Sequence, residues 1–135
     1  MLSRNVARRI QEQGASFAMA FTHVAGYLQA SDVAFCNLES PISDRGERIE
    51  KRYTFRAPPE AIQGLEAAGF DIVTLANNHI LDYGPAALED TRAALAAAGV
   101  KHVGITNDDQ PQAPAVIEVN GLRLGFLGYT DPETP

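Results

Sequence analysis

Two amides, an imidazole and a carboxylate follow one short apolar run near the middle of the sequence. The run, residues 71–76, is rich in branched apolar side chains, which predicts a buried strand. Asn77, Asn78 and His79 come directly after it, and Asp82 follows three residues later. Ligands bind beyond the carboxyl ends of strands in open α/β sheets, and these side chains are suitable ligands for a divalent metal. The pattern therefore predicts a site at this point of the chain.

A structural interpretation of the same side chains is also open. Asn-Asn pairs are common in turns and helix caps, because Asn tolerates the left-handed conformation. A single His is more often structural than functional. The presence of Asp82 after His79, and of a strand before it, favours the functional interpretation.

A second apolar run, residues 33–36, also ends in polar residues. Asn37 and Glu39 follow it, and Pro41 disfavours helix at the residue before it, so we expect this strand to lead into a loop. Glu39 alone would be interpreted as an exposed carboxylate of a turn. The single cysteine, Cys36, lies in the apolar run and is expected to be a buried small hydrophobic residue.

The two strand ends together offer the donor types that a hydrolytic metal centre needs. Glu39 supplies a carboxylate for a bridging role, and the side-chain oxygen of Asn78 supplies a neutral ligand. His79 suits either a metal ligand or an acid that protonates a leaving group. We expect Asp82 to accept a hydrogen bond from the imidazole and fix its tautomer.

The polar segment 44–56 carries charges of both signs. Arg48, Lys51, Arg52 and Arg56 occur there together with acidic and aromatic residues. A solvated loop or hairpin is one interpretation, and a surface that faces an anionic ligand is the other. Long irregular segments in compact domains are usually functional or mobile, so this one could cover the site as a lid or contact the substrate.

Composition places the chain among globular proteins and argues against some partners. Its 135 residues suit one domain, with 45% hydrophobic and 21% charged residues. A net charge of -6 argues against nucleic-acid binding, which requires a basic face. No apolar run approaches the roughly 18 residues of a membrane-spanning helix.

Periodicity and turn residues predict alternating helices and strands, followed by a hairpin at Asn120-Gly121. This order is typical of an α/β fold with a mixed sheet. The predicted helices span residues 2–13, 17–30, 59–68 and 85–98, and the predicted strands span residues 33–36, 71–76, 100–103, 115–119 and 122–127.

Several segments together resemble the CapA family of bacterial capsule and poly-γ-glutamate synthesis proteins, which is similar to calcineurin-like metallophosphoesterases. The most specific match is Leu-Ala-Asn-Asn-His at residues 75–79 with Leu-Asp-Tyr-Gly at residues 81–84, and Asn-Leu-Glu-Ser-Pro at residues 37–41 is fairly specific. Supporting matches, in the family's order, lie at residues 53–59, 68–71, 90–91 and 125–130.

The resemblance implies a layered α/β/β/α metallophosphoesterase-like sandwich, present here as one partial domain over residues 1–135. It implies divalent metal of the Mn, Fe, Zn or Mg type, with two ions in the full-length protein. It further implies action on an anionic polymer of the cell envelope or its precursor, beside other capsule-synthesis membrane proteins. We predict His79 and Asp82 as catalytic residues, Glu39, Asn78 and His79 as metal ligands, and Asn37, Asn77, Arg52 and Arg56 as substrate contacts.

The sequence also departs from the family pattern. That pattern begins with a strand ending in Gly-Asp, whose carboxylate is a primary metal ligand, and here residues 1–4 resemble only the end of the motif. Histidines that the family places near its C-terminus would lie beyond Pro135. We therefore expect an internal piece of a longer protein, poorly soluble and inactive by itself.

Two functions stay open at this point. One is a metal-dependent hydrolase or transferase of the capsule type, which the two strand-end clusters favour. The other is a non-catalytic binding subunit of a polymer-synthesis or export assembly, which the basic and aromatic residues of 48–56 favour.

Overall fold

The computed structural model describes residues 1–106 and 112–131. Helices and strands alternate along the chain, which confirms the α/β class. The helices are α1 (Arg4–Glu12), α2 (Ala25–Gln29), α3 (Ile62–Ala68) and α4 (Gly84–Ala97), with short 3₁₀ helices at Phe17–Phe21 and Pro59–Ala61. The strands are β1 (Phe35–Asn37), β2 (Ile72–Thr74), β3 (Lys101–Val103), β4 (Ala115–Val119) and β5 (Leu122–Phe126).

Strands β1, β2 and β3 form a parallel sheet in that order, so their carboxyl ends share one edge. Hydrogen bonds continue past the strands, since the Leu38 N–H donates to the Thr74 carbonyl at 3.0 Å. The Leu75 N–H likewise donates to the Val103 carbonyl at 2.8 Å. The polar residues after β1 and after β2 therefore start from neighbouring points on the same edge.

The central strand β2 and helix α4 carry much of the core. Ile72 and Val73 are fully buried, as are Ala87 and Leu95 on the inner face of α4. Burial of each large aliphatic side chain stabilises the fold by about 1.5–3 kcal/mol. The Thr91 hydroxyl, also buried, donates to the carbonyl of residue 87 and accepts from the backbone N–H of residue 42. Helix α4 is thereby fixed to the chain that follows β1.

The hairpin predicted at Asn120-Gly121 is confirmed by β4 and β5, which pair antiparallel. Both turn residues have positive φ, 50° and 77°, as a type I′ turn requires. The Phe126 ring stacks on Phe35 of β1 with 6.0 Å between ring centroids. The hairpin therefore contacts the parallel sheet, whereas the full four-layer sandwich stays a prediction.

The helix predicted over residues 17–30 is wrong in part, because two short helices replace it: Phe17–Phe21 and α2. Hydrogen bonds from side chains to the local backbone compete with a continuous helix here. The Ser16 hydroxyl accepts from the backbone N–H of residue 18, and the Thr22 hydroxyl donates to the carbonyl three residues before it.

The segment 44–56 is a loop without strands in the structure. Its first turn is fixed to helix α4, where Asp90 accepts hydrogen bonds from the Arg45 guanidinium and the Ser43 hydroxyl. These two donors lower the pKa of Asp90 to about 2. The carboxylate is therefore ionised throughout the physiological pH range. Its hydrogen bonds anchor the start of the loop to α4.

Cys36 is half-buried rather than fully buried, on the sheet's edge strand β1. Burial raises the pKa of its thiol to about 11, so the reactive thiolate is scarce at neutral pH. Among the helices of the described residues, none combines the length and apolar character needed to cross a bilayer.

Gly104 allows the chain after β3 to pass close to the end of β2. Its φ is +97°, and a Cβ there would lie 2.4 Å from the backbone nitrogen of Ala76. We expect Gly104→Ala to destabilise the protein by about 3 kcal/mol or more, because left-handed strain and a backbone clash add. Urea denaturation measures this loss.

Gly99→Ala is the matched control for that substitution. Gly99 also has positive φ, +71°, but a Cβ there would meet nothing within 4 Å. It is expected to lose only the strain of about 1–2 kcal/mol. Equal losses in the two variants would show that the contact between an added Cβ at Gly104 and Ala76 costs no free energy of unfolding.

Candidate functional site

A buried carboxylate, Asp82, lies at the centre of the polar cluster that follows β2. Its side chain is 0% exposed. The Oδ2 atom accepts a hydrogen bond from the Phe55 N–H at 2.8 Å and lies 2.8 Å from His79 Nδ1. The Nζ atom of Lys51 lies 3.4 Å from Oδ1. Three donors therefore surround a charge that would be costly to bury alone.

The contact with Asp82 sets the tautomer of His79. An ionised carboxylate only accepts hydrogen bonds, so Nδ1 carries the hydrogen and Nε2 of the neutral ring keeps its lone pair. The edge-to-face contact with Phe55 holds the ring from another side, with 4.4 Å between centroids. The side chain of His79 is 12% exposed. Its Nε2 can therefore ligate a metal or exchange a proton.

Lys51 extends from the loop 44–56 to the same cluster. Its Nζ donates to the Asn78 carbonyl at 2.6 Å, and its side chain is 16% exposed. This role was not predicted, because in the sequence Lys51 is only one charge of a segment with mixed charges. The signal was the run of charged and aromatic residues at 50–55, most of which line one cavity.

That cavity has a volume of about 580 Å³ and lies beside His79. Residues 50–53 and 55 of the loop 44–56 form one wall, and the role of this loop as a lid stays a prediction. The Arg52 guanidinium stacks over the Tyr53 ring at 5.0 Å from its centroid. Charged and aromatic residues thus line this space. The lining residues are Glu50, Lys51, Arg52, Tyr53, Phe55, Asn78 and His79.

The side chain of Asn77 joins the ends of β1 and β2. Its amide nitrogen donates to the Asn37 side-chain oxygen and to the Leu38 carbonyl, both at 3.0 Å. Its amide oxygen accepts from the His79 N–H at 3.0 Å. Asn37 and Asn77 are therefore structural clamps between the two strand ends, and their contact with substrate stays a prediction.

Glu39 follows the clamped Leu38 carbonyl and is partly buried. The structure thus brings the backbone of Glu39 and that of His79 to neighbouring strand ends, but Glu39 is not among the residues that line the cavity beside His79. Within residues 1–106 and 112–131, no three His, Cys, Asp or Glu side chains form a group that could hold a metal ion. The ligand roles of Glu39 and Asn78 stay predictions.

Arg56 is not among the residues that line the cavity beside His79. Its guanidinium lies over the Tyr83 ring at 4.1 Å from the centroid and donates to the Arg45 carbonyl at 2.9 Å. These contacts hold the loop 44–56 together. Arg56 is a structural residue by these contacts, and its predicted role in substrate binding has no support from them.

A second cavity, of about 350 Å³, lies on another side of Asn78. Thr130 and Asp131, which follow β5, line it together with Asn77. Neither residue was among the predicted site residues, although the two form a third group of polar residues after a strand. Gly128 permits this approach, because a Cβ there would lie 2.7 Å from the Thr74 hydroxyl.

Comparisons with known proteins agree with the CapA resemblance. The family model of "Bacterial capsule synthesis protein PGA_cap" matches residues 1–134. Capsule biosynthesis protein CapA of Bacillus anthracis is 32% identical over 136 residues, which cover 97% of this chain and 33% of that protein. PGA biosynthesis protein CapA of Bacillus subtilis is 27% identical over 135 residues, which cover 97% of this chain and 35% of that protein.

A probable polyglutamine synthesis accessory protein of Mycobacterium tuberculosis is 42% identical over 107 residues, which cover 78% of this chain and 28% of that protein. The chain thus spans about a third of the length of the curated relatives it matches. The family match extends over nearly all of the chain and includes both strand-end clusters. The chain therefore belongs to the bacterial capsule synthesis protein family PGA_cap, the CapA-type family of capsule and poly-γ-glutamate biosynthesis.

Proposed function

We propose that this chain carries part of a divalent-metal site that acts on phosphate ester or amide bonds in or near an anionic cell-envelope polymer. One observation carries the proposal: a buried carboxylate holds His79 at Nδ1, which leaves Nε2 for a metal ion or a proton. Because the chain spans about a third of its relatives, the activity is proposed for the complete protein.

The chemistry of the donor set fits a divalent metal. Metal-binding histidines commonly donate their other ring N–H to a carboxylate, and His79 with Asp82 has this arrangement. A carboxylate from Glu39 and an amide oxygen from Asn78 would add hard oxygen ligands. This mixture suits Mn, Fe, Zn or Mg. A centre with two ions needs further ligands besides these three residues.

The residues of the chain would divide the work at such a site. A bound metal ion supplies a Lewis acid and lowers the pKa of water. Asp82 keeps His79 in one tautomer, so that Nε2 would be free to ligate the metal or to take up a proton from water and then donate it to a leaving group. The Phe55 backbone and ring cover this pair and restrict its contact with solvent.

The four-layer metallophosphoesterase-like sandwich belongs to the same proposal. The stacking of Phe126 on Phe35 supports it, because this contact brings the β4–β5 hairpin against the parallel sheet as a second β layer would lie. Helix α4, whose inner face is buried, would form part of one outer layer.

The proposed substrate is an anionic polymer or its precursor. Arg52 and Tyr53 on the cavity wall support this class, because a guanidinium group and an aromatic ring bind anionic and planar groups. Two relatives carry names that concern capsule and PGA biosynthesis. We accordingly propose a cell-envelope location and contact with other capsule-synthesis membrane proteins.

Metal binding tests the proposal directly. We expect the purified protein to bind Mn²⁺ in a fixed ratio, measured by calorimetry and by elemental analysis. Asn78→Ala and Glu39→Gln should each weaken binding by about tenfold or more, because each removes one oxygen ligand.

Glu60→Gln is the matched control, since Glu60 is an exposed carboxylate on the short 3₁₀ helix that precedes α3. It should bind Mn²⁺ as the wild type does. Unchanged metal content in both the Asn78 and the Glu39 variants would end the metal-site proposal.

The second candidate is a non-catalytic binding subunit of a polymer-synthesis or export assembly. The stacked Arg52–Tyr53 pair favours it, because such a wall can hold an anionic chain without any reaction. If binding is the function, Arg52→Ala should abolish polymer production in cells while His79→Ala leaves it intact. Loss of production in His79→Ala alone would support the enzymatic function instead.

Asp82 is expected to dominate the stability of the site. Asp82→Asn keeps the side-chain size but removes the charge that Lys51 and His79 contact. We expect the free energy of unfolding to fall by about 2 kcal/mol or more, because hydrogen bonds to a charged group are lost. Urea denaturation measures the change.

Asp90→Asn serves as the comparison for Asp82→Asn. Asp90 also forms an ion pair, but its partner, the Arg45 side chain, is largely exposed to solvent. The loss of stability should therefore be smaller than in Asp82→Asn. The reverse order would contradict the central role of Asp82.

A further inference from the structure

The ammonium group of Lys51 lies between two groups of the site. It donates to the Asn78 carbonyl at 2.6 Å and lies 3.4 Å from Asp82 Oδ1. It also lies 3.5 Å from His79 Nδ1, but that nitrogen donates its hydrogen to Asp82 and cannot accept one. The two oxygens are therefore the acceptors of Lys51.

These two oxygens belong to the residues on which the metal-site proposal depends. The carbonyl is that of Asn78 itself, next to His79 in the chain. The carboxylate is the one that orients the His79 ring. Lys51 comes from a loop 27 residues earlier than Asn78, so its contacts join two separate parts of the chain.

We infer that Lys51 is a positioning residue, which holds the Asn78 main chain and the Asp82 carboxylate and so fixes Asn78 and His79 for metal binding. This inference rests on the proposed function and adds one residue to its site. Lys51 acts through its neighbours, since a protonated amine has no lone pair for a metal ion.

Two effects of Lys51 on a divalent ion have opposite signs. A nearby cation repels the ion, so removal of its charge alone would strengthen metal binding. Removal of a group that orients the ligands weakens metal binding, by about 10–100-fold in characterised sites. The direction of the change in affinity therefore distinguishes positioning from simple electrostatics.

The experiment compares Mn²⁺ affinity in the wild type, Lys51→Met and Lys51→Arg by calorimetry. We expect Lys51→Met to bind Mn²⁺ about tenfold more weakly or worse, and Lys51→Arg, which keeps donors at this position, to lose less. Lys101→Met controls for the loss of one lysine, because Lys101 is exposed on β3, and it should bind as the wild type does.

A second measurement does not depend on the metal. The Phe55 N–H donates to Asp82, so its amide hydrogen exchange should become about tenfold faster when Lys51 no longer holds that carboxylate. Equal or tighter Mn²⁺ binding by a folded Lys51→Met protein overturns the inference. Should Lys51→Met fail to fold, the Lys51→Arg protein decides: weaker Mn²⁺ binding with faster exchange at Phe55 supports positioning, and unchanged or tighter binding overturns it.

The outcomes separate this inference from the proposed function. If the wild type binds Mn²⁺ and Lys51→Met binds it equally well, the inference fails and the metal site stands. If the wild type binds no Mn²⁺, the metal site fails, and the exchange rate at Phe55 decides whether Lys51 positions Asp82. Unchanged exchange in Lys51→Met then overturns the inference as well.

Discussion

The burial of the Asp82 carboxylate is the constraint on which the rest of the site depends. A buried charge without partners costs several kcal/mol, so the surrounding chain supplies donors to it. One donor comes from the turn after β2, through His79, and the others come from Lys51 and the Phe55 backbone. The Ile49 N–H also donates to the main-chain carbonyl of Asp82 at 3.0 Å. This one residue therefore holds a loop without strands against the end of the sheet.

The parallel sheet supplies the other half of the geometry. Because β1 and β2 run in the same direction, the residues that follow them begin at one edge. Both polar atoms of the Asn77 amide fix that edge. The amide nitrogen donates to the Leu38 carbonyl after β1, and the amide oxygen accepts from the His79 N–H. The hydrogen bonds of the Asn77 amide are thus made within the protein and do not depend on water. His79 is thus fixed at two points, because its backbone N–H donates to Asn77 and its ring contacts Asp82.

The sequence predicted the features that local patterns encode. The buried face of α4 follows from helical spacing, and the hairpin follows from Asn120-Gly121, whose positive φ values few other pairs adopt. The pairing of Asp82 with His79 was predictable because the two residues are only three positions apart in the chain. The role of Lys51 was not, since its contacts cross 27 to 31 positions of irregular chain. The side-chain position of Glu39 depends on the loop after β1, for which no periodicity exists.

The charges of the residues around the cavity relate the binding of a metal ion to the binding of a polymer. Lys51 and Arg52 face the cavity with Glu50, and the charge of Lys51 is already opposed by Asp82. These four residues are close to neutral in sum, and the chain as a whole is at -6. A neutral wall on an acidic protein gives little long-range attraction for an anionic polymer. A divalent ion would make the same wall positive, so metal and polymer binding are coupled if the enzymatic function holds. Polymer binding without metal would have to depend on short-range contacts such as the Arg52–Tyr53 stack. Salt weakens such contacts less than it weakens the attraction between distant charges.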